Sequence, residues 1–314
     1  KNWDSAISIY VDIINKYPWI NDEKQQFITS ADYDGIICAS LLKHYKNWEL
    51  VGYYDLESIW ICDEAKKNRN NIIWVDLNIL PHQGKAIGGH IVSIKNELPS
   101  GFNTSCNPNI LTEVNSSMFK NKFPFSTLFF LLWLYNIQIP KNIFSKMLVL
   151  HSDSTWLKFQ NYNENSMNWI KILSDYNWKW FFRNVDSETF EKRIDEILYP
   201  ELKSIYAISG YSKLKSKNLK LQSRELKVNP DWDEDIIHNL FNLVATHLKW
   251  TPPRLPLITK RVDGTKKKIA LREVKNMGLT KFLKKEKVFS YTITSPQTLI
   301  YTTFGSSLNS PIDK

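Results

Sequence analysis

A chain of 314 residues is about twice the length of a common single domain, so two compact units, or one large α/β unit, are expected. Hydrophobic residues at 43% and charged residues at 23%, with 12 Trp, 14 Tyr and 16 Phe, exclude a wholly disordered, collagen-like or coiled-coil chain. The net charge of +9 is concentrated, because residues 258–287 hold eleven basic side chains against Asp263, Glu273 and Glu286. A block of this kind suits a phosphate backbone, since each neutralised phosphate releases condensed counterions. Only seven of the 41 basic residues are Arg, so a Lys-enriched, merely solvated surface is the competing reading.

No apolar run reaches the roughly 20 residues needed to cross a bilayer. The greasiest stretch, 123–137, is interrupted by Pro124, Ser126, Thr127 and Asn136 and reads as a buried helix. Residues 1–10 show neither an apolar h-region nor a small-residue cleavage site, so no secretion signal is expected. Cys38, Cys62 and Cys106 lack C-x-x-C spacing. They argue against a disulfide scaffold or a thiolate zinc site and for a reducing, cytoplasmic setting, and the lack of a membrane-length apolar run argues against a membrane partner.

Ile7, Tyr10, Val11 and Ile14 recur at helical steps and predict an opening helix capped by Asp4 and ended near Pro18. Strands are predicted over 26–29, 50–54, 71–75 and 90–94, with a helix over 34–44 after the first of them. Short apolar strands alternating with helices predict an α/β fold, an open and mainly parallel sheet flanked by helices, followed by a smaller α+β C-terminal portion. Further helices are expected over 124–135, 143–150, 188–198 and 235–248, the last stopped by Pro252 and Pro253. The aromatic- and Asn-rich stretch 156–180 has no assigned element. Residues 288–294 and 297–304 read as a hairpin or adjacent strands. No internal repeat is evident. A boundary between Asp186 and Tyr211 divides the chain into 1–185 and 186–314.

Ligands of open α/β sheets bind beyond the carboxyl ends of the strands. There the chain places Asp32 and Asp34, spaced i, i+2 immediately before a helix, and Asp76 after the third strand. The apolar segment 147–150 leads into His151-Ser152-Asp153. Carboxylates gathered at one edge repel one another and call for a hard divalent cation, Mn²⁺ or Mg²⁺. Taken singly, Asp32 or Asp34 would more simply cap the next helix. Tyr33, Trp156, Trp178, Trp180 and Trp250 are candidates to stack nucleobases, although large aromatics are core residues by default. No G-x-S-x-G and no G-x-x-x-x-G-K-[ST] occurs, which disfavours an esterase elbow and a P-loop NTPase. His238 and His247, nine apart on one helix, do not share a face.

This ordered set resembles the DHH phosphoesterase superfamily over roughly residues 25 to 155; its members include RecJ-like exonucleases, oligoribonucleases and manganese pyrophosphatases. The first motif looks like Ala31-Asp32-Tyr33-Asp34-Gly35, the second like Trp74-Val75-Asp76-Leu77, and the fourth like Leu150-His151-Ser152-Asp153. The third, Asp-His-His, is degenerate here: Gly88-Gly89-His90 keeps only the final His, and Ser30 stands where RecJ-like members often have a further Asp. The resemblance implies that Asp32, Asp34, Asp76 and Asp153 hold two ions about 3.5–4 Å apart, with Asp76 bridging and His90 facing the phosphate. His82 or His151 would be the substitutes for the missing ligand.

The implied activity is metal-dependent hydrolysis of phosphodiester bonds in single-stranded nucleic acid or short oligonucleotides, with Lys266, Lys267 and Lys268 on the substrate. Two alternatives stand beside it. One is a DHH-like nucleic-acid-binding or scaffold subunit that has lost catalysis. The other is a hydrolase of small nucleotides or phosphates.

Overall fold

The computed structural model describes residues 6–80, 84–95 and 97–305. Helix α1 (Ala6–Lys16) stops before Pro18, and its predicted cap Asp4 lies outside the described residues. Then follow β1 (Gln26–Ser30), α2 (Tyr33–Lys46), β2 (Glu49–Tyr54), β3 (Ser58–Ile61), α3 (Asp63–Lys67), β4 (Ile73–Val75), β5 (Lys85–Ile87), β6 (Ser105–Cys106) and α4 (Pro108–Leu111). A helical stretch comes next: α5 (Thr127–Leu134), α6 (Ile143–Leu150), α7 (Thr155–Asn161), α8 (Asn163–Ile172), α9 (Trp178–Phe182), α10 (Glu188–Arg193), α11 (Tyr199–Ser204) and α12 (Glu234–Leu248). The chain ends through β7 (Lys260–Asp263), β8 (Thr265–Ala270), α13 (Leu271–Met277), α14 (Leu279–Lys285), β9 (Ser290–Ser295) and β10 (Thr298–Thr303).

These elements form two compact units that interleave along the chain. One takes α1, Ala31–Lys46 and Pro124–Pro253; the other takes Tyr17–Ser30, Asn47–Phe123 and the chain from Arg254 onward.

The second unit holds both sheets. The larger has strand order β6-β5-β4-β1-β2-β3-β7. Its pairs from β6 to β2 are parallel, whereas β2–β3 and β3–β7 are antiparallel. The β2–β3 reversal is made by Asp55, whose Oδ1 accepts the backbone N–H of Glu57 and of Ser58 at 2.9 and 2.7 Å. The smaller sheet, β8-β10-β9, is antiparallel throughout. Ile28, Val51, Ile61 and Trp74 from the large sheet share one core with Phe289 and Phe304, which flank the C-terminal hairpin. The fold class is therefore α/β, with a mixed, mainly parallel seven-stranded sheet and a small antiparallel one near the C-terminus.

The predicted strand over 90–94 is replaced by β5. Gly88 and Gly89 end the ladder: the Gly88 N–H bonds the Cys106 carbonyl, and a Cβ on Gly89 would lie 2.9 Å from the Phe123 ring. Ile91 and Val92, whose β-branching suggested a strand, are buried as irregular chain, and the Ile91 carbonyl accepts from Ile293 N–H.

The first unit is helical. Every residue of α5 is buried, as expected for a helix apolar on all sides, and α2 packs against both α5 and α12. The unassigned stretch 156–180 contributes α7, α8 and α9. Its aromatics join those of α5 in a stacked cluster, with Phe159–Phe182 ring centroids 4.3 Å apart and Phe125–Phe182 5.0 Å apart. Tyr33, Trp156, Trp178 and Trp250 are buried and Trp180 is half-buried, so the proposed stacking residues serve packing instead. Among the described residues no helix is long and apolar enough to cross a membrane.

Candidate functional site

In the sheet-bearing unit, three adjacent parallel strands deliver polar side chains just past their carboxyl ends. Ser30 ends β1, Asp76 follows β4, and His90 follows β5. The Ser30 hydroxyl donates to Asp76 Oδ2 at 2.6 Å, and His90 Nε2 lies 4.0 Å from Asp76 Oδ1. Asp76 is buried with a left-handed backbone (φ 74°), held by its N–H on the Ile87 carbonyl. The loop bearing His90 is stitched by asparagines: Asn107 Nδ2 donates to the His90 carbonyl at 2.7 Å, and Asn109 Nδ2 to the Gly89 carbonyl at 2.6 Å. His82 lies outside the described residues.

Asp32, Asp34 and Asp153 belong to the helical unit. Asp32 caps α2, its Oδ1 accepting the Gly35 N–H at 2.9 Å. Asp34 is buried and ties three elements together. Its Oδ2 accepts Thr127 N–H at 2.9 Å, and its Oδ1 accepts Leu128 N–H at 3.1 Å and the Ser152 hydroxyl at 2.7 Å. The two backbone donors are the first turn of α5, where unpaired N–H groups and the helix dipole favour a negative charge.

His151 is fully buried between the rings of Tyr33 and Tyr199, with Nε2 on the Arg224 carbonyl at 3.1 Å. Burial pushes its imidazole down to about 4, so the neutral ring donates through Nε2.

Asp153 pairs with Lys158, and Ser154 next to it donates to Glu225. Both Asp153 (φ 47°) and Ser154 (φ 54°) are left-handed. Burial alone would lower the Lys158 ammonium, but the charges of Asp153, then Glu225 and Asp34, hold it above the ordinary lysine range. An ammonium of the chain itself thus pairs with Asp153, one of the acids that the DHH resemblance assigns to a metal. With side-chain exposures of 21% and 37%, the Lys158–Asp153 pair lies between the surface and buried limits. After discounting for that solvent screening, Lys158→Met is expected to cost about 1–2 kcal/mol, and Lys158→Arg much less. Urea denaturation midpoints check it; equal midpoints for wild type and Lys158→Met would show the pair to be inconsequential.

The donor set of neither unit, taken by itself, fits a two-ion centre. Asp34 already has both oxygens on N–H and O–H donors, Asp153 is paired with an ammonium, and among the described residues the sheet edge of the other unit brings together one carboxylate, Asp76, and one imidazole, His90. Among the described residues no group of three or more His, Cys, Asp or Glu is placed to hold a metal. No protein-family model matches the chain, and no curated protein matches it.

The basic block lies in the sheet-bearing unit, on β7, β8, α13 and α14. Ten of its eleven cations are exposed, Lys266, Lys267 and Lys268 among them, and Lys260 is half-buried. β8 is the edge of its sheet, where lysines also oppose the addition of a further strand. Sequence reasoning missed Lys158 and Glu225, whose roles depend on distant partners. It also missed a second basic stretch, residues 203–227, with Lys203, Lys213, Lys215, Lys217, Lys220, Arg224 and Lys227 against the single acid Glu225.

Proposed function

We propose that this chain is a cytoplasmic DHH-like protein that binds single-stranded nucleic acid and uses its inherited acids for structure. The observation that carries this reading is the exposure of ten basic side chains on consecutive elements of one unit. The engagement of Asp34 by α5 and of Asp153 by Lys158 supports the structural role of the acids. Cys38, Cys62 and Cys106 are buried and joined in no disulfide, which accords with a reducing compartment.

Fluorescence anisotropy with labelled single-stranded DNA and RNA across a salt series tests it. Affinity should fall linearly on a log–log plot, and replacing Lys266, Lys267 and Lys268 by Ala should reduce the slope by about 0.7 for each phosphate that is no longer neutralised. Absence of binding at low salt, or a slope indifferent to the triple substitution, would overturn the reading.

A second reading keeps catalysis: divalent-metal-dependent phosphodiester hydrolysis at the edge of the large sheet, with Asp76 as a metal ligand and His90 toward the phosphate. It is favoured by the approach of His90 Nε2 to 4.0 Å from the buried Asp76 carboxylate just past the carboxyl ends of β4 and β5. Turnover of the same oligonucleotides that needs Mn²⁺ and disappears in Asp76→Ala would establish it over the first.

A further inference from the structure

The helical unit bears an open cavity of about 680 Å³ whose lining includes Lys203 of α11, Tyr206, Ser209, Tyr211 and Arg224. The segment 208–227 forms an irregular two-chain ribbon. Ser212 N–H donates to the Ser223 carbonyl at 2.7 Å, Gln222 Nε2 to the Ser212 carbonyl at 3.2 Å, and Lys215 bridges Gln222. Ser209 fastens its base: the hydroxyl donates to the Glu225 carbonyl at 3.1 Å and accepts Lys227 N–H at 3.3 Å. Gly210, at φ +63° with open space around it, makes the turn that presents Tyr211.

Two features of this cavity bear on what it could hold. Tyr206 and Tyr211 are 75% and 72% exposed, whereas Phe125, Phe129, Trp156 and Trp178 of the same unit fill its core. Arg224 also lies over the Tyr211 ring at 5.6 Å, a cation–π contact, and lines the cavity together with Lys203. The described lining of the cavity includes the cations Lys203 and Arg224 and no acidic side chain. Exposed tyrosine rings beside cations suit a ligand that alternates flat rings with anionic links. Unpaired nucleic acid has that form, and a duplex keeps its rings stacked inside.

We propose that this cavity is a base-stacking site for single-stranded nucleic acid, in which Tyr206 and Tyr211 receive bases while Lys203 and Arg224 hold phosphates. The assignment rests on the nucleic-acid reading above and adds to it where the bases go.

The test compares a labelled oligothymidylate with an abasic oligomer of the same length on wild type, Tyr206→Ala, Tyr211→Ala and the corresponding Phe variants. Both tyrosines are exposed, so unchanged urea midpoints are expected and verify folding. Each Ala variant should bind oligothymidylate roughly five- to 150-fold more weakly, with affinity for the abasic oligomer unchanged and the Phe variants like wild type. Arg224→Ala should weaken both ligands. If wild type binds the two oligomers equally, or the Ala variants retain full affinity for oligothymidylate, the stacking site is overturned while nucleic-acid binding stands. If wild type binds neither, the nucleic-acid reading fails and this site with it. A polyglutamate that displaces oligothymidylate from wild type, with the Tyr variants silent, would assign the cavity to an acidic peptide instead.

Discussion

Replacing Asp34 by alanine is expected to destabilise the helical unit by about 3–5 kcal/mol, the range for breaking a buried, hydrogen-bonded charge. The substitution leaves Thr127 N–H, Leu128 N–H and the Ser152 hydroxyl without their acceptor in a place closed to water. It also removes the negative charge from the start of α5, the most completely buried helix of the unit. Asp34→Asn preserves shape but turns an amide donor toward one of these N–H groups, so an intermediate loss of about 1–3 kcal/mol is expected. Urea unfolding in metal-free buffer reads both. The sign is informative: a carboxylate kept only to meet a cation suffers repulsion when none is bound, and its removal would then raise stability. A stabilised Asp34→Ala would favour the metal reading over the structural one.

Local patterns were legible where one element answers to its own residues. The strand predicted over 26–29 and the helix over 34–44 appear as β1 and α2, because Phe27, Ile28 and the run from Ile36 to Leu42 are buried by the elements they form. The last strands, β9 and β10, were legible for the same reason. Strands decided by partners were not. β7 contains Lys260, Arg261, Val262 and Asp263, one buried apolar residue in four, and exists because β3 offers its free edge. β5 and β6 are three and two residues long, too short to show a period.

The candidate site divides in the same way. That Asp32 and Asp34 stand at a strand-to-helix junction was visible in the sequence. That Asp34 is met by Thr127 and Ser152, 93 and 118 residues away, was not. The aromatic residues point to a usable rule. Trp178 and Phe182 are surrounded in sequence by other aromatics and pack with them. Tyr211 sits among Ser209, Gly210, Ser212 and Lys213, which supply little apolar surface to bury a ring, and it remains exposed; Tyr206, between Ile205 and Ala207, is exposed despite its apolar neighbours.

Glu191→Ala is the other substitution expected to have a large effect, about 3 kcal/mol, since four hydrogen bonds to one buried carboxylate are lost together. From α10, Glu191 accepts Leu219 N–H at 2.7 Å, Asn218 N–H at 3.2 Å, and the side-chain amides of Asn218 and Gln160 at 3.1 Å each. Burial alone would raise its carboxyl pKa. The N–H of Leu219, the Ser216 hydroxyl and the two Asn218 donors more than offset that and hold it below the usual carboxylate range. A folded-state pKa below the unfolded one contributes stability that is complete above the unfolded value, about 4.3, and is lost as pH falls through the folded value. Glu191→Gln keeps the shape without the titration, so its deficit relative to wild type should be full at neutral pH and shrink on acidification. Urea midpoints for both proteins over an acid series check this; a gap that stays constant with pH would show that the carboxylate's charge contributes nothing. Because Asn218 and Leu219 form the far turn of the ribbon that carries Tyr211 and Arg224, Glu191→Ala should also weaken oligothymidylate binding, even at a pH and temperature where the variant remains folded. That loss should accompany unchanged affinity in Tyr211→Phe, which separates a misplaced ribbon from an altered ring.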